Sequence, residues 1–106
     1  MQKLSPKTLD QVISQIVDVA HPEKIILFGS YARGDARGDS DLDLLIIERE
    51  VTARRKESVR IRRALRPLRV PVDILVFSVD EVKRYGDIMG TVLYPALREG
   101  KVVYGE

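Results

Sequence analysis

Apolar residues along this 106-residue chain change their spacing several times, and each change marks an element. Leu9, Val12, Ile13, Ile16, Val17 and Ala20 recur at the 3.6-residue period of a helix with one buried face. Ser5-Pro6 offers an N-cap followed by proline at the first helical position, and His21-Pro22 stops the run. "KIILFGS" (24–30), "LDLLIIE" (42–48) and "VPVDILVF" (70–77) are short apolar runs that predict buried strands. Between the last two, Ile61, Ala64, Leu65 and Leu68 sit at helical spacing, with arginine on the intervening face. Ser78 and Glu81 form a capping box for another helix. "TVLYPALREG" (91–100) reads as helical around Pro95 and closes at Gly100, before a short strand "KVVY" (101–104).

The order helix, strand, strand, helix, strand, helix, helix, strand predicts an α/β (α+β) fold, a mixed sheet with helices packed against it. A short loop joins the first two strands, which favours an antiparallel pair. A helix joins the second and third, which favours a parallel, right-handed crossover. This topology has a chemical consequence. The end of the first strand, at Gly29-Ser30, should lie beside Asp41 and Asp43 at the start of the second. Asp73, at the start of the third, should fall next to them.

Composition narrows the class. A chain of this length fits a single domain, residues 1–106, and 44% hydrophobic with 32% charged residues describes a globular protein. No cysteine is present and His21 stands alone, which excludes disulfides, thiolate chemistry and Cys- or His-based zinc sites. Without a membrane-length apolar run or a signal-peptide pattern, a cytoplasmic protein with no membrane partner is expected. The net charge of +2 conceals an asymmetry: residues 54–69 hold eight basic residues against Glu57 alone. That face is either solvated or a docking surface, using Arg60, Arg62, Arg63 and Arg66, for a protein or a nucleic acid. No aromatic residue interleaves those arginines, which weighs against base stacking.

The chemistry concentrates at the acids. Asp41 and Asp43 are two apart, so on a strand they share a face, roughly 7 Å from one another. Asp73, one strand over, lies roughly 5 Å away laterally. Three such carboxylates repel one another and raise their own pKa values. A divalent cation resolves the conflict, and hard oxygen donors favour Mg²⁺ or Mn²⁺. Two ions held by such a set suit phosphoryl or nucleotidyl transfer. Gly29-Ser30 complements it: glycine lets a phosphate approach the backbone, the N–H groups of a turn from Tyr31 attract an anion, and the hydroxyl adds a donor. Arg33 is a candidate phosphate contact. The plainer alternative is that Asp41 caps a turn and Asp43 pairs with Arg33 or Arg37. "DSDLD" resembles the start of a calcium loop, but Leu44 stands where that loop needs glycine. The two Arg-Gly-Asp triplets (33–35 and 37–39) read as loop spacers, and Tyr94 and Tyr104 as packing residues.

"GSYARGDARGDSDLDLLI" (29–46), with Gly29-Ser30 followed ten residues later by Asp41-Leu42-Asp43, resembles the nucleotidyltransferases of the DNA polymerase β superfamily. As a whole it looks like the minimal nucleotidyltransferases (MNT type) of prokaryotic toxin–antitoxin pairs, over nearly the whole chain, with Ser40 before the first acid and Asp73 as the third. The resemblance implies a polymerase β-like fold. It makes Asp41, Asp43 and Asp73 catalytic residues and ligands of two Mg²⁺ (or Mn²⁺) ions, with Asp73 as the base toward the acceptor. Gly29, Ser30, Arg33 and Ser40 would hold the nucleotide, with ATP as substrate. A HEPN-type toxin would be the partner and the acceptor of AMP, within a homo- or hetero-oligomer. The rival readings are an antitoxin on the same fold that only binds its toxin, and a nucleic-acid-binding module built on helix 54–69.

Overall fold

A computed structural model describes residues 5–37 and 40–105. Its elements are α1 (Pro6–Ala20), β1 (Lys24–Phe28), α2 (Ser30–Arg33), β2 (Leu42–Glu48), α3 (Arg54–Leu65) with a 3-10 turn at Arg66–Leu68, β3 (Val72–Ser78), α4 (Val79–Tyr85), α5 (Leu93–Glu99) and β4 (Lys101–Tyr104). The strands form one mixed sheet in the order β3-β2-β1-β4. As the connections require, β1 and β2 are antiparallel and β2 and β3 parallel; β4 returns antiparallel beside β1.

Strand alternation sorts the core into two layers. Ile25 and Leu27, Leu44 and Ile46, and Ile74 and Val76 face one side, with Val12 and Ile16 of α1 and Ile61 and Leu65 of α3. Ile26, Leu45 and Ile47 face the other, under Leu93 and Ala96 of α5, with Val82 of α4 packed at the margin. Leu44, Leu45 and Ile46 are fully buried, each contributing roughly 1.5–3 kcal/mol of apolar burial. This two-sided cover explains why β2 reads as a continuous apolar run rather than an alternating one.

The termini follow local chemistry. The Ser5 hydroxyl accepts from the Thr8 N–H at 3.1 Å, and His21 ends α1 in the left-handed region at φ 47°. Arg60 of α3 has partners within the chain. Its guanidinium donates to Glu57 at 2.8 and 3.0 Å and to the Val19 carbonyl, tying α3 to the end of α1. Arg60 is thus committed to intramolecular partners while its side chain stays half exposed. Pro67 tightens the end of the basic helix into the 3-10 turn. The predicted helix at 91–100 begins at Leu93, with Pro95 tolerated in its first turn. Tyr94 lies half-buried with Arg98 above its ring at 4.8 Å, whereas Tyr104, expected to pack, is exposed on β4. Among the described residues no helix is long and apolar enough to cross a membrane.

Candidate active site

The register across the sheet assembles the site. Phe28, the last residue of β1, pairs with Asp43, and Asp43 pairs with Asp73 on β3. Partners in register point to the same face, so both carboxylates emerge where Leu45 and Leu75 face further along their strands. Asp41 precedes β2 by one residue and is exposed. The N–H of Leu42 donates to the Pro71 carbonyl at 2.9 Å, which locks the starts of β2 and β3 together. The strand pairing thus brings the end of β1, before Gly29-Ser30, beside Asp43 and Asp73, with Asp41 one residue ahead of β2.

Gly29 adopts φ 74° and ψ −154°, a region in effect reserved for glycine. A methyl group at this position would overlap the Asp43 carboxylate, so the backbone and the acid are in intimate contact. Immediately after it, Ala32 and Arg33 donate their N–H groups to the Gly29 carbonyl and start α2. The N–H groups of Ser30 and Tyr31 precede the first intrahelical bond, so the helix itself offers them no acceptor.

Asp43 is half-buried, and its carboxyl is raised above the ordinary aspartate value. Burial is the main cause, followed by the charges of Asp73 and Asp41, while Arg33 opposes the shift. Asp73 is exposed and accepts a hydrogen bond from Arg62 of α3 at 3.2 Å. Among the described residues, no three acidic or histidine side chains already surround a common point where a metal ion could sit. Asp73 is turned toward Arg62 and Asp41 toward solvent, so a shared ion requires those two side chains to rotate inward. The donor chemistry fits: a carboxylate in the field of two others, with burial already disfavouring its charge, matches a hard divalent cation.

Arg33 and Ser40 both have partners within the chain. Arg33 pairs with Asp35 at 3.3 Å and Glu99 at 3.6 Å, so it reaches the site through its field on Asp43 rather than by a free guanidinium. The Ser40 hydroxyl accepts from the Arg37 N–H at 2.8 Å, and the Ser40 N–H donates to the Arg37 carbonyl at 3.0 Å, closing the loop before β2. The second Arg-Gly-Asp triplet runs through residues 38 and 39, which lie outside the described residues.

Two features were not apparent beforehand. Arg62 is one of eight basic residues in a run, and only the α3 crossover selects it to meet Asp73. At the far end of β2, Glu48 is buried beside Glu57 with one carboxylate oxygen unpaired, and its carboxyl is pushed up to about 8 by burial and by Glu57. Glu57 is held below the usual glutamate range by Arg60. The acid ending "LDLLIIE" was the signal, read as a strand terminus.

Comparison with known proteins points to one family. Residues 7–94 match the model of the nucleotidyltransferase domain. MJ0141 of Methanocaldococcus jannaschii, assigned by inference as a protein adenylyltransferase, is 35% identical over 74 residues, covering 60% of this chain and 75% of its own. A crystal structure from Sulfolobus solfataricus, assigned by inference as a nucleotidyltransferase, superposes with a TM-score of 0.66 at 19% identity, covering 94% of this chain and 79% of that one. A tri-AMPylated Shewanella oneidensis HEPN toxin in complex with its MNT antitoxin provides a further match, with TM-score 0.61 and 15% identity, covering 94% of this chain and 71% of that one.

Proposed function

The chain belongs to the nucleotidyltransferase domain family, and from that premise we propose that it moves AMP from ATP to a hydroxyl of a partner protein in the cytoplasm. The partner we propose is a HEPN-type toxin, the class found with the Shewanella antitoxin. The observation that carries the reading is the register Phe28–Asp43–Asp73, which supports one site with an anion-binding turn on one side and carboxylates on the other.

In this proposal the Ser30 and Tyr31 N–H groups and the Ser30 hydroxyl hold phosphate oxygens of the triphosphate. Gly29 lets those oxygens approach the backbone beside Asp43. Asp41, Asp43 and Asp73 would hold two Mg²⁺ or Mn²⁺ ions, which when bound neutralise phosphate charge and make a hydroxyl easier to deprotonate. Asp73, the most lateral acid, accepts the proton of the acceptor hydroxyl. That oxygen bonds to the α-phosphorus, the bond from the α-phosphorus to the bridging oxygen breaks, and pyrophosphate departs with the electron pair. The protein's contribution is chiefly orientation and charge. Arg62 must release Asp73 for this step.

The test uses labelled ATP, Mg²⁺ and the protein encoded by the adjacent gene. Mass spectrometry should find one or more AMP increments on that protein, and release of pyrophosphate should match them. Asp43→Asn should remove the label while the complex still forms. A tight complex that carries no label with ATP, GTP, CTP or UTP would replace this reading with an antitoxin that acts by binding alone.

A further inference from the structure

Of the eight basic residues in segment 54–69, Lys56 and Arg69 are exposed with no acidic partner among the described residues, and the other six fall into two groups by what they touch. Arg54 donates to Glu81 and to the Val76 carbonyl and lies over the Phe77 ring at 4.7 Å. Arg60 is bound to Glu57 and Val19, and Arg62 to Asp73. Arg55, Arg63 and Arg66, by contrast, have no acidic partner among the described residues, and all three are exposed. With Val59 they occupy positions i, i+4, i+8 and i+11, which is one face of the helix, continued into the 3-10 turn.

Val59 is 42% exposed and stands between two hollows. One, of about 560 Å³, lies between Arg55, Ser58, Val59 and Arg62 and the β3 segment 74–77. The other, of about 580 Å³, lies on the opposite flank, among Arg55, Lys56, Val59, Arg60 and Arg63. A ridge with a hollow on each side is the shape that receives the side chains of a facing helix.

We infer that the outer face of α3 is the docking surface for an acidic, amphipathic helix of the acceptor protein, with apolar side chains in the two hollows beside Val59 and carboxylates against Arg55, Arg63 and Arg66. This rests on the reading that the acceptor is a protein. Three observations select the occupant. Unpaired cations on an otherwise acidic body call for a negatively charged surface. An exposed valine between two hollows suits aliphatic side chains, while a phosphate backbone has no use for it. The face also lacks an aromatic ring on which a base could stack: the one ring lining the hollows, Phe77, is covered by Arg54. Placement matters as well. Arg62 lines the first hollow and holds Asp73, so a helix seated there lies directly alongside the acid that accepts the hydroxyl proton.

The test is a titration of the isotope-labelled full chain, at 50 mM salt, with an eighteen-residue helix-forming peptide. The peptide carries glutamates along one stripe and two leucines four residues apart beside it. Amide shifts should concentrate on 55–66. The double variant Arg55→Glu/Arg63→Glu should weaken binding at least tenfold with its melting temperature preserved, and raising salt to 500 mM should weaken the wild type similarly. ATP titrated into the same double variant should bind within twofold of wild type. No binding at 50 mM salt, equal binding by wild type and variant, or tighter binding of a twenty-nucleotide single strand than of the peptide would each overturn the proposal. Loss of ATP binding in wild type would instead strike at the nucleotidyl-transfer reading, whatever the peptide does.

Discussion

Replacing Gly29 with alanine tests the coupling between the turn and the middle acid. The backbone there, at φ 74° and ψ −154°, is one that L-residues avoid, and forcing alanine into it costs about 1–3 kcal/mol. The new methyl also overlaps the Asp43 carboxylate. Such overpacking adds about 1–3 kcal/mol unless the acid rotates away. For a chain of this size the strain alone lowers the melting temperature by roughly 5–20 °C. The two contributions separate in a double-mutant cycle with Asp43→Ala, measured by urea unfolding without added metal. In the Asp43→Ala background only the backbone strain remains, so the cost of Gly29→Ala should fall by at least about 1 kcal/mol. If Gly29→Ala costs the same in both backgrounds, the glycine does not make room for the acid. If it costs under about 0.5 kcal/mol in wild type, the turn does not require glycine at all.

Three further outcomes follow from particular side chains. Millimolar Mg²⁺ should raise the melting temperature of wild type and leave Asp43→Asn unmoved, because an ion that binds only the folded form stabilises it; equal responses would rule out the three-carboxylate site. Glu48 titrates at about 8 in the fold against 4.5 as a free side chain, so the folded state holds an extra proton between those values and stability should decline as pH rises from 5 to 9. Glu48→Gln should flatten that decline and by pH 9 exceed wild type by on the order of 1 kcal/mol, which pH-dependent urea unfolding would detect; an unchanged slope would refute the assignment. Arg60→Ala should destabilise by about 1–3 kcal/mol, since it leaves Glu57 beside Glu48 without its cation and frees the Val19 carbonyl; ATP binding should persist in the same protein.

Local rules were enough for the elements themselves. The 3.6-residue period of Leu9 to Ala20, the Ser5 and Ser78 caps and the apolar runs at 24–30 and 42–48 each act over a few residues, so their outcome is written in the chain. The grouping of Gly29-Ser30 with Asp41, Asp43 and Asp73 was legible too, because connection lengths constrain how three consecutive strands pair. What contacts each charged group was not legible. Eight basic residues in one run look alike to any local rule, yet Arg54 crosses to Glu81, Arg60 to Val19, and Arg62 to Asp73, while Arg55, Arg63 and Arg66 meet no acid among the described residues. Arg33 likewise reads as a free cation in a glycine-rich loop, but the return of α5 brings Glu99 against it. A helix's rotation and crossing over the sheet are set by the packing of Ile61 and Leu65 into the core, far in sequence from the acids its arginines then reach. Periodicity can tell which face of α3 is buried; only the tertiary packing decides which arginines end up beside carboxylates and which are left for a partner.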